Sequence, residues 1–217
     1  MNLLNNKLKT LLVPFLLVTA GHAAAQSAPP SRSVKIKSIK YNGSGCPIGT
    51  VAENISTDNQ AFTLTFSEFI AEAGPGISPR NNRKNCQVTA VLSIPPGWQY
   101  TVGSFNYRGF IDVDPGVLAT HTTSYYFQGQ GQTGTFQSRQ PGPYSDAFTY
   151  TDKIGLSSSN LWSPCNVERA LNINAAIYVG VSDPSNPSAQ GYIANDSIDG
   201  ELSQVYSYSL FWRPCRA

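Results

Sequence analysis

Leu171-Asn172-Ile173-Asn174-Ala175-Ala176-Ile177-Tyr178-Val179-Gly180-Val181 is the cleanest alternation in the chain, with Leu171, Ile173, Ala175, Ile177, Val179 and Val181 on every second position. That period is the mark of a strand with one buried face. The same period recurs on both sides of it. Upstream, Val34 and Ile36 alternate with Lys35 and Lys37 in 33–41, and Phe62, Leu64 and Phe66 repeat, as do Val88, Ala90, Leu92 and Ile94. Pro95-Pro96-Gly97 ends that last run, so residues 98–113 return as one long or kinked strand broken near Gly103 or Gly109. Ala119–Gln128 reads as a further strand, with Tyr125 and Phe127 on one side and Tyr126 on the other. Glycine- and glutamine-rich Gly129–Gly142 reads as the longest loop, and Thr149–Ile154 as a short strand. Downstream, Leu202–Trp212 closes the chain with Tyr206, Tyr208, Leu210 and Trp212 in phase. Helical periodicity is almost absent. These strands, roughly 8–10 in number, predict an all-β antiparallel β-sandwich, and a parallel α/β sheet is excluded for want of crossover helices.

The N-terminus predicts export. Lys7 and Lys9 precede the short apolar run Leu11–Ala20, and Ala23-Ala24-Ala25 before Gln26 is an A-x-A cleavage site. This is the pattern of a secretory signal peptide over 1–25, too short and too broken by Pro14 to span a bilayer. Residues 26–32 then form a loose leader, and 33–217 a single secreted β domain in the extracellular or periplasmic space.

Cleavage leaves 15 minus 2, or 13, Lys+Arg against 13 Asp+Glu, so the mature chain is neutral. Neutrality argues against a nucleic-acid partner, which calls for a basic surplus. Arg32, Lys35, Lys37 and Lys40 form a local basic stretch, read as edge-strand protection. The mature chain also keeps one histidine, His121, in a β-branched run with no nucleophile motif beside it. A zinc site or a Ser-His-Asp unit would have to rest on that residue alone.

Cys46, Cys86, Cys165 and Cys215 are an even number in an exported chain, which predicts two disulfides. Three pairings exist. The expected one joins Cys46 to Cys86 and Cys165 to Cys215, tying each half of the chain to itself. No C-x-x-C occurs, which argues against metal or a catalytic thiol.

Two features are candidates for ligand chemistry. Acidic residues cluster at Asp112–Asp114 and at Asp196-Ser197-Ile198-Asp199-Gly200-Glu201. Loop carboxylates of this kind can hold calcium, and Asp196, Asp199 and Glu201 are the better candidates, although Asp before Gly is also ordinary turn chemistry. Aromatic residues are numerous, and Trp98, Tyr107, Tyr125 and Tyr126 are candidates for a platform on which sugar rings stack. Strand propensity is the plainer explanation of most of them. Three sequons, at Asn42, Asn54 and Asn195, are read as chance in a chain whose leader looks bacterial.

Tyr41-Asn42-Gly43-Ser44-Gly45-Cys46-Pro47, Phe62–Phe69 running into Ala73-Gly74-Pro75-Gly76, Asn85-Cys86-Gln87, Ile94-Pro95-Pro96-Gly97, Tyr107-Arg108-Gly109, Tyr125-Tyr126-Phe127, Trp162-Ser163-Pro164-Cys165 and Trp212-Arg213-Pro214-Cys215 resemble the family catalogued as domain of unknown function 4360. The resemblance runs through nearly all of 33–217 and takes in all four cysteines. It implies a small, secreted, disulfide-bonded domain and brings no activity with it. One departure is Asn166, which follows Cys165 where the resemblance implies glycine.

The function expected is that of a non-enzymatic secreted protein that binds an extracellular polysaccharide or a cell-surface component. The alternative is a secreted hydrolase working through paired carboxylates, glycosidase-like. An inhibitor or host-directed effector is a third reading that no residue favours.

Overall fold

The computed structural model describes residues 33–55, 57, 61–101, 105–152, 161–183, 185–201 and 211–215, together with Pro29. The expected signal peptide, most of the leader, and Tyr206, Tyr208 and Leu210 of the expected closing strand lie outside them.

Among the described residues the alternating runs form thirteen strands: β1 Lys35–Asn42, β2 Val51–Ile55, β3 Ala61–Phe66, β4 Ile70–Ala73, β5 Arg83–Ser93, β6 Trp98–Thr101, β7 Phe105–Val113, β8 Val117–Phe127, β9 Gly134–Pro141, β10 Tyr144–Asp152, β11 Leu171–Val181, β12 Gly191–Glu201 and β13 Phe211–Pro214. The first sheet runs β1-β5-β11-β8-β9 and the second β10-β7-β12-β3-β2, with β4 also on β12. A short pair, β13-β6, stands apart. Every pairing is antiparallel. The fold is the expected all-β sandwich.

Alternation decides what the two sheets enclose. Val88, Ile173, Ile177 and Val179 of the first sheet and Leu64, Ile193 and Ile198 of the second are each 0% exposed and belong to one core cluster. Burying each such side chain contributes about 1.5–3 kcal/mol before conformational entropy is set against it.

One segment differs from the sequence reading. Gly134–Pro141, expected as loop, is edge strand β9, paired with β8 from Leu118–Pro141 to Tyr125–Gly134. Backbone hydrogen bonding to a long neighbour holds it rather than a hydrophobic run, and Pro141 is tolerated because it ends an edge strand. Of the two positions expected for a break in 98–113, Gly103 lies outside the described residues, between β6 and β7, and Gly109 does not interrupt β7. Gly109 lies inside β7 because a Cβ there would sit 1.9 Å from the Ala194 carbonyl oxygen, where β12 shifts register between Asn195 and Ser197.

Cys46 is joined to Cys86 and Cys165 to Cys215, the expected near pairing. Asn166, the departure from the resembled pattern, has φ +54°. That left-handed conformation explains why glycine suits the position and why asparagine can replace it. Its Oδ1 also accepts from the Gly97 N–H at 2.8 Å, a bond glycine could not make. No helix among the described residues is long and apolar enough to cross a membrane.

Candidate functional site

The structure separates the four aromatic candidates. Tyr107 and Tyr125 are 0% exposed, so neither offers a face to a ligand, and their assignment to a stacking platform is corrected. Their phase along β7 and β8 points into the sandwich, where their hydroxyl oxygens meet at 2.5 Å and tie the second sheet to the first. The Asp152 carboxyl at the end of β10 stands near Tyr125, with its Oδ2 buried and without a hydrogen-bond partner among the described residues. Burial pushes that carboxyl up from 3.8 to about 7, with the Tyr125 hydroxyl opposing the rise, and it raises both tyrosine hydroxyls further above their ordinary range. His121 packs in the same interior, 4.7 Å between ring centroids from Tyr107 and 5.6 Å from Tyr150. It is 1% exposed, and burial lowers it to about 4, so it is neutral at pH 7. Trp98 is half-buried on β6, opposite Pro214. Only Tyr126 lies on an outer sheet face, opposite Asn172.

Of the calcium candidates, the side chains of Asp196 and Asp199 are described. Asp196 occupies the register shift of β12 and is exposed. The Asp199 carboxylate is engaged by Arg108 Nη2 at 2.6 Å and by Thr63 Oγ1 at 2.8 Å. The Glu201 side chain lies outside the described residues. Among the described residues no group of three His, Cys, Asp or Glu is placed to hold a metal ion.

The outer face of the first sheet is a different kind of surface. The phase opposite the core carries Gln87 and Thr89 on β5, Asn172 and Asn174 on β11, and Thr120, Thr122 and Ser124 on β8. A groove of about 170 Å³ runs along the strands between β8 and β11, floored by Ala176 and lined by Arg83, Thr120, Thr122, Ser124, Asn174 and Tyr178. Beside it on β1 and β5 lies a shallower depression of about 550 Å³, lined by residues that include Lys40, Asn42, Asn85, Gln87 and Thr89. Asn172 is oriented from below, its Oδ1 accepting from Thr89 Oγ1 at 2.9 Å and Gln87 Nε2 at 3.3 Å. Asn174 Oδ1 is itself buried and has no partner among the described residues.

Tyr178 closes one end of the groove with 43% of its surface exposed. Its ring lies down on the backbone two residues along, because a Cβ on Gly180 would sit 2.3 Å from Tyr178 Oη and 2.8 Å from Cζ. The ring therefore leans over the Gly180 backbone while the residue stays 43% exposed. The signal for Tyr178 is present in the opening stretch, where it is the one aromatic residue on the polar phase of β11.

Charge segregates between the sheets. The first-sheet strands hold Lys35, Lys37, Lys40, Arg83, Lys84 and Arg139 and no acidic residue. The second-sheet strands hold Glu53, Glu72, Asp112, Asp146, Asp152, Asp196, Asp199 and Glu201, against Arg108 alone. Glu72, Asp112 and Asp114 line one cleft of about 280 Å³ with Tyr192 and Ile77. Asp114 is engaged there in holding backbone, its Oδ2 accepting from the Gln190 N–H at 3.0 Å.

A family model described as Domain of unknown function (DUF4360) matches residues 32–215. A protein of Arthroderma benhamiae described as "Uncharacterized secreted protein" is 36% identical over 189 residues, covering 87% of this chain and 75% of that one. Among solved structures, the module TmCBM61 in complex with beta-1,4-galactotriose is 9% identical at a TM-score of 0.28, covering 77% of this chain and 90% of that one. The CBM22-1-GH10 modules of a Clostridium thermocellum xylanase complexed with xylohexaose are 9% identical at a TM-score of 0.29, covering 81% and 27%. Likeness at that level carries no argument. What the chain binds is decided on its own surface.

Proposed function

Since the chain belongs to the DUF4360 family, whose description transfers no activity, we propose from its surface that this secreted β-sandwich is a non-enzymatic binding protein whose first-sheet outer face engages an extracellular polysaccharide. The observation that carries this reading is the groove between β8 and β11, walled by hydroxyls and an amide and ended by the flat Tyr178 ring. A sugar presents hydroxyls that both donate and accept around a ring with an apolar face. Ser, Thr and Asn side chains match the first property, because each can donate and accept, and an aromatic face matches the second. The groups stand on paired strands and are partly pre-oriented, which reduces the ordering cost of binding.

Two substitutions separate this role from a structural one. Asn174→Ala with Tyr178→Ala is expected to abolish retention on a polysaccharide affinity gel and to leave the thermal midpoint nearly unchanged, since Asn174 is only half-buried and Tyr178 is exposed. Gly180→Ala is expected to weaken retention by displacing the tyrosine ring, with every groove residue still present. A wild type retained on no member of a broad polysaccharide panel would overturn the reading.

A hydrolase is the second reading, favoured by the carboxylates of Glu72 and Asp112 in the cleft beside Tyr192. It requires release of reducing sugars by the wild type that Glu72→Gln or Asp112→Asn abolishes. Absence of products across the panel removes it.

A further inference from the structure

We infer that the polysaccharide is an acidic one, and that Arg83 and Arg139, set on either side of Tyr178, grip its carboxylate or sulfate groups. The inference rests on the polysaccharide-binding reading and names the ligand class for the same face.

The geometry comes from strand register. Arg83 on β5 pairs with Tyr178 on β11, Tyr178 with Thr120 on β8, and Thr120 with Arg139 on β9. At about 4.8 Å per strand, this row crosses about 14 Å of the sheet. Both arginines are exposed, and all four residues occupy the outward phase. Arg139 is steadied by its Nε donating to Gln137 Oε1 at 3.1 Å, which leaves its terminal amino groups for a ligand. A sugar ring laid on Tyr178 thus has a guanidinium on each side of it. The planar fork of arginine suits the paired oxygens of an anionic substituent, which a neutral sugar lacks.

The rest of the face agrees. No carboxylate stands on the five strands to repel an anion, and Lys40 adds a cation to the neighbouring depression. Lys37 is excluded from this set because it is ion-paired with Glu168. A long phosphate polymer fits less well. The mature chain is formally neutral, with 13 Lys+Arg against 13 Asp+Glu, and the opposite sheet is acidic, so there is no broad positive field to hold one.

The test measures affinity of the secreted protein, at low and at high salt, for polygalacturonate, dextran sulfate, neutral dextran and duplex DNA. Binding to polygalacturonate, dextran sulfate or both is expected to exceed binding to neutral dextran by about tenfold or more and to weaken with salt, and the better of the two identifies carboxylate or sulfate as the group gripped. Arg83→Gln with Arg139→Gln should remove that preference without moving the melting temperature, while Tyr178→Ala should lower binding to every polymer retained. Equal binding of neutral and acidic polymers, or an arginine variant that keeps the preference, overturns the inference and leaves polysaccharide binding standing. Retention of no polymer overturns both. DNA bound as tightly as the acidic polysaccharides, and lost in the arginine variant, overturns the assignment to a sugar.

Discussion

Replacing Cys86 with alanine is expected to destabilise the protein by about 4 kcal/mol and to lower its melting temperature by roughly 8–16 °C. The bridge to Cys46 closes a loop of 40 residues and the bridge from Cys165 to Cys215 one of 50. Chain-entropy arguments give each about 4 kcal/mol, because an open chain has more conformations to lose on folding. Cys86 is the more damaging site of the four. It is 0% exposed in the middle of β5, and Cys46 is 2% exposed, so the substitution also leaves a buried thiol and a void between them. Cys215→Ala should cost 2–5 kcal/mol, since the bridge anchors the end of β13, whose neighbouring contact is the Cys215 N–H donating to the Gly97 carbonyl at 2.7 Å. Thermal melts with and without reductant measure both. A wild type whose disulfides are verifiably reduced but whose melt is unchanged would show that the bridges do not hold the fold.

Asp152→Asn is expected to stabilise the protein at pH 7–8 by something on the order of 2–4 kcal/mol, the lower figure allowing for partial screening. The folded state holds the Asp152 proton up to about pH 7, whereas the unfolded chain releases it near 3.8. Stability from this group is therefore intact below about pH 4 and is lost as pH rises toward 7. His121 has the opposite sign. Its folded pKa is lowered to about 4 from 6.5, so its contribution is intact above pH 6.5 and is lost as pH falls toward 4, by roughly 3 kcal/mol. In the wild type the two slopes oppose each other between pH 4 and 6.5 and should nearly cancel. Asp152→Asn should leave the histidine slope alone, with stability falling on acidification. His121→Phe, among the rings of Tyr107 and Tyr150, should leave the carboxyl slope, with stability rising on acidification. Urea denaturation across that window reads both. Loss of stability in Asp152→Asn at pH 7 would mean that this interior favours a carboxylate and that burial is not the dominant cost.

The disulfide prediction follows from the pairing expected of the sequence, whereas the pH prediction depends on how the strands are assembled. Tyr107, Tyr125, Asp152 and His121 come from β7, β8 and β10, and their sequence neighbours carry no sign that they meet. The alternation around Tyr125 and Tyr126 shows that they face opposite ways without showing which way is inward. Aromatic content therefore could not separate a core tyrosine from a platform tyrosine. Tyr178 was more legible, since Ile177 and Val179 on either side of it belong to the apolar phase. Its flat seating was not, because that depends on how the ring meets the Gly180 backbone.

The sequence by itself determined the all-β class, the inward residues of the longest strands, the compartment and the disulfide count. Each of these is a local or compositional property: a two-residue period, a leader pattern, an even number of cysteines in an exported chain. Only the tertiary structure decided that Gly134–Pro141 is a strand, that Arg108 and Thr63 meet at the Asp199 carboxylate, and that basic residues gather on one sheet and acidic ones on the other. Those depend on which strands lie side by side. Pairing in an antiparallel sandwich joins residues as distant as Arg83 and Tyr178 through backbone hydrogen bonds that every residue except proline can donate. The side chains along each strand record its period and leave the identity of its neighbours unmarked.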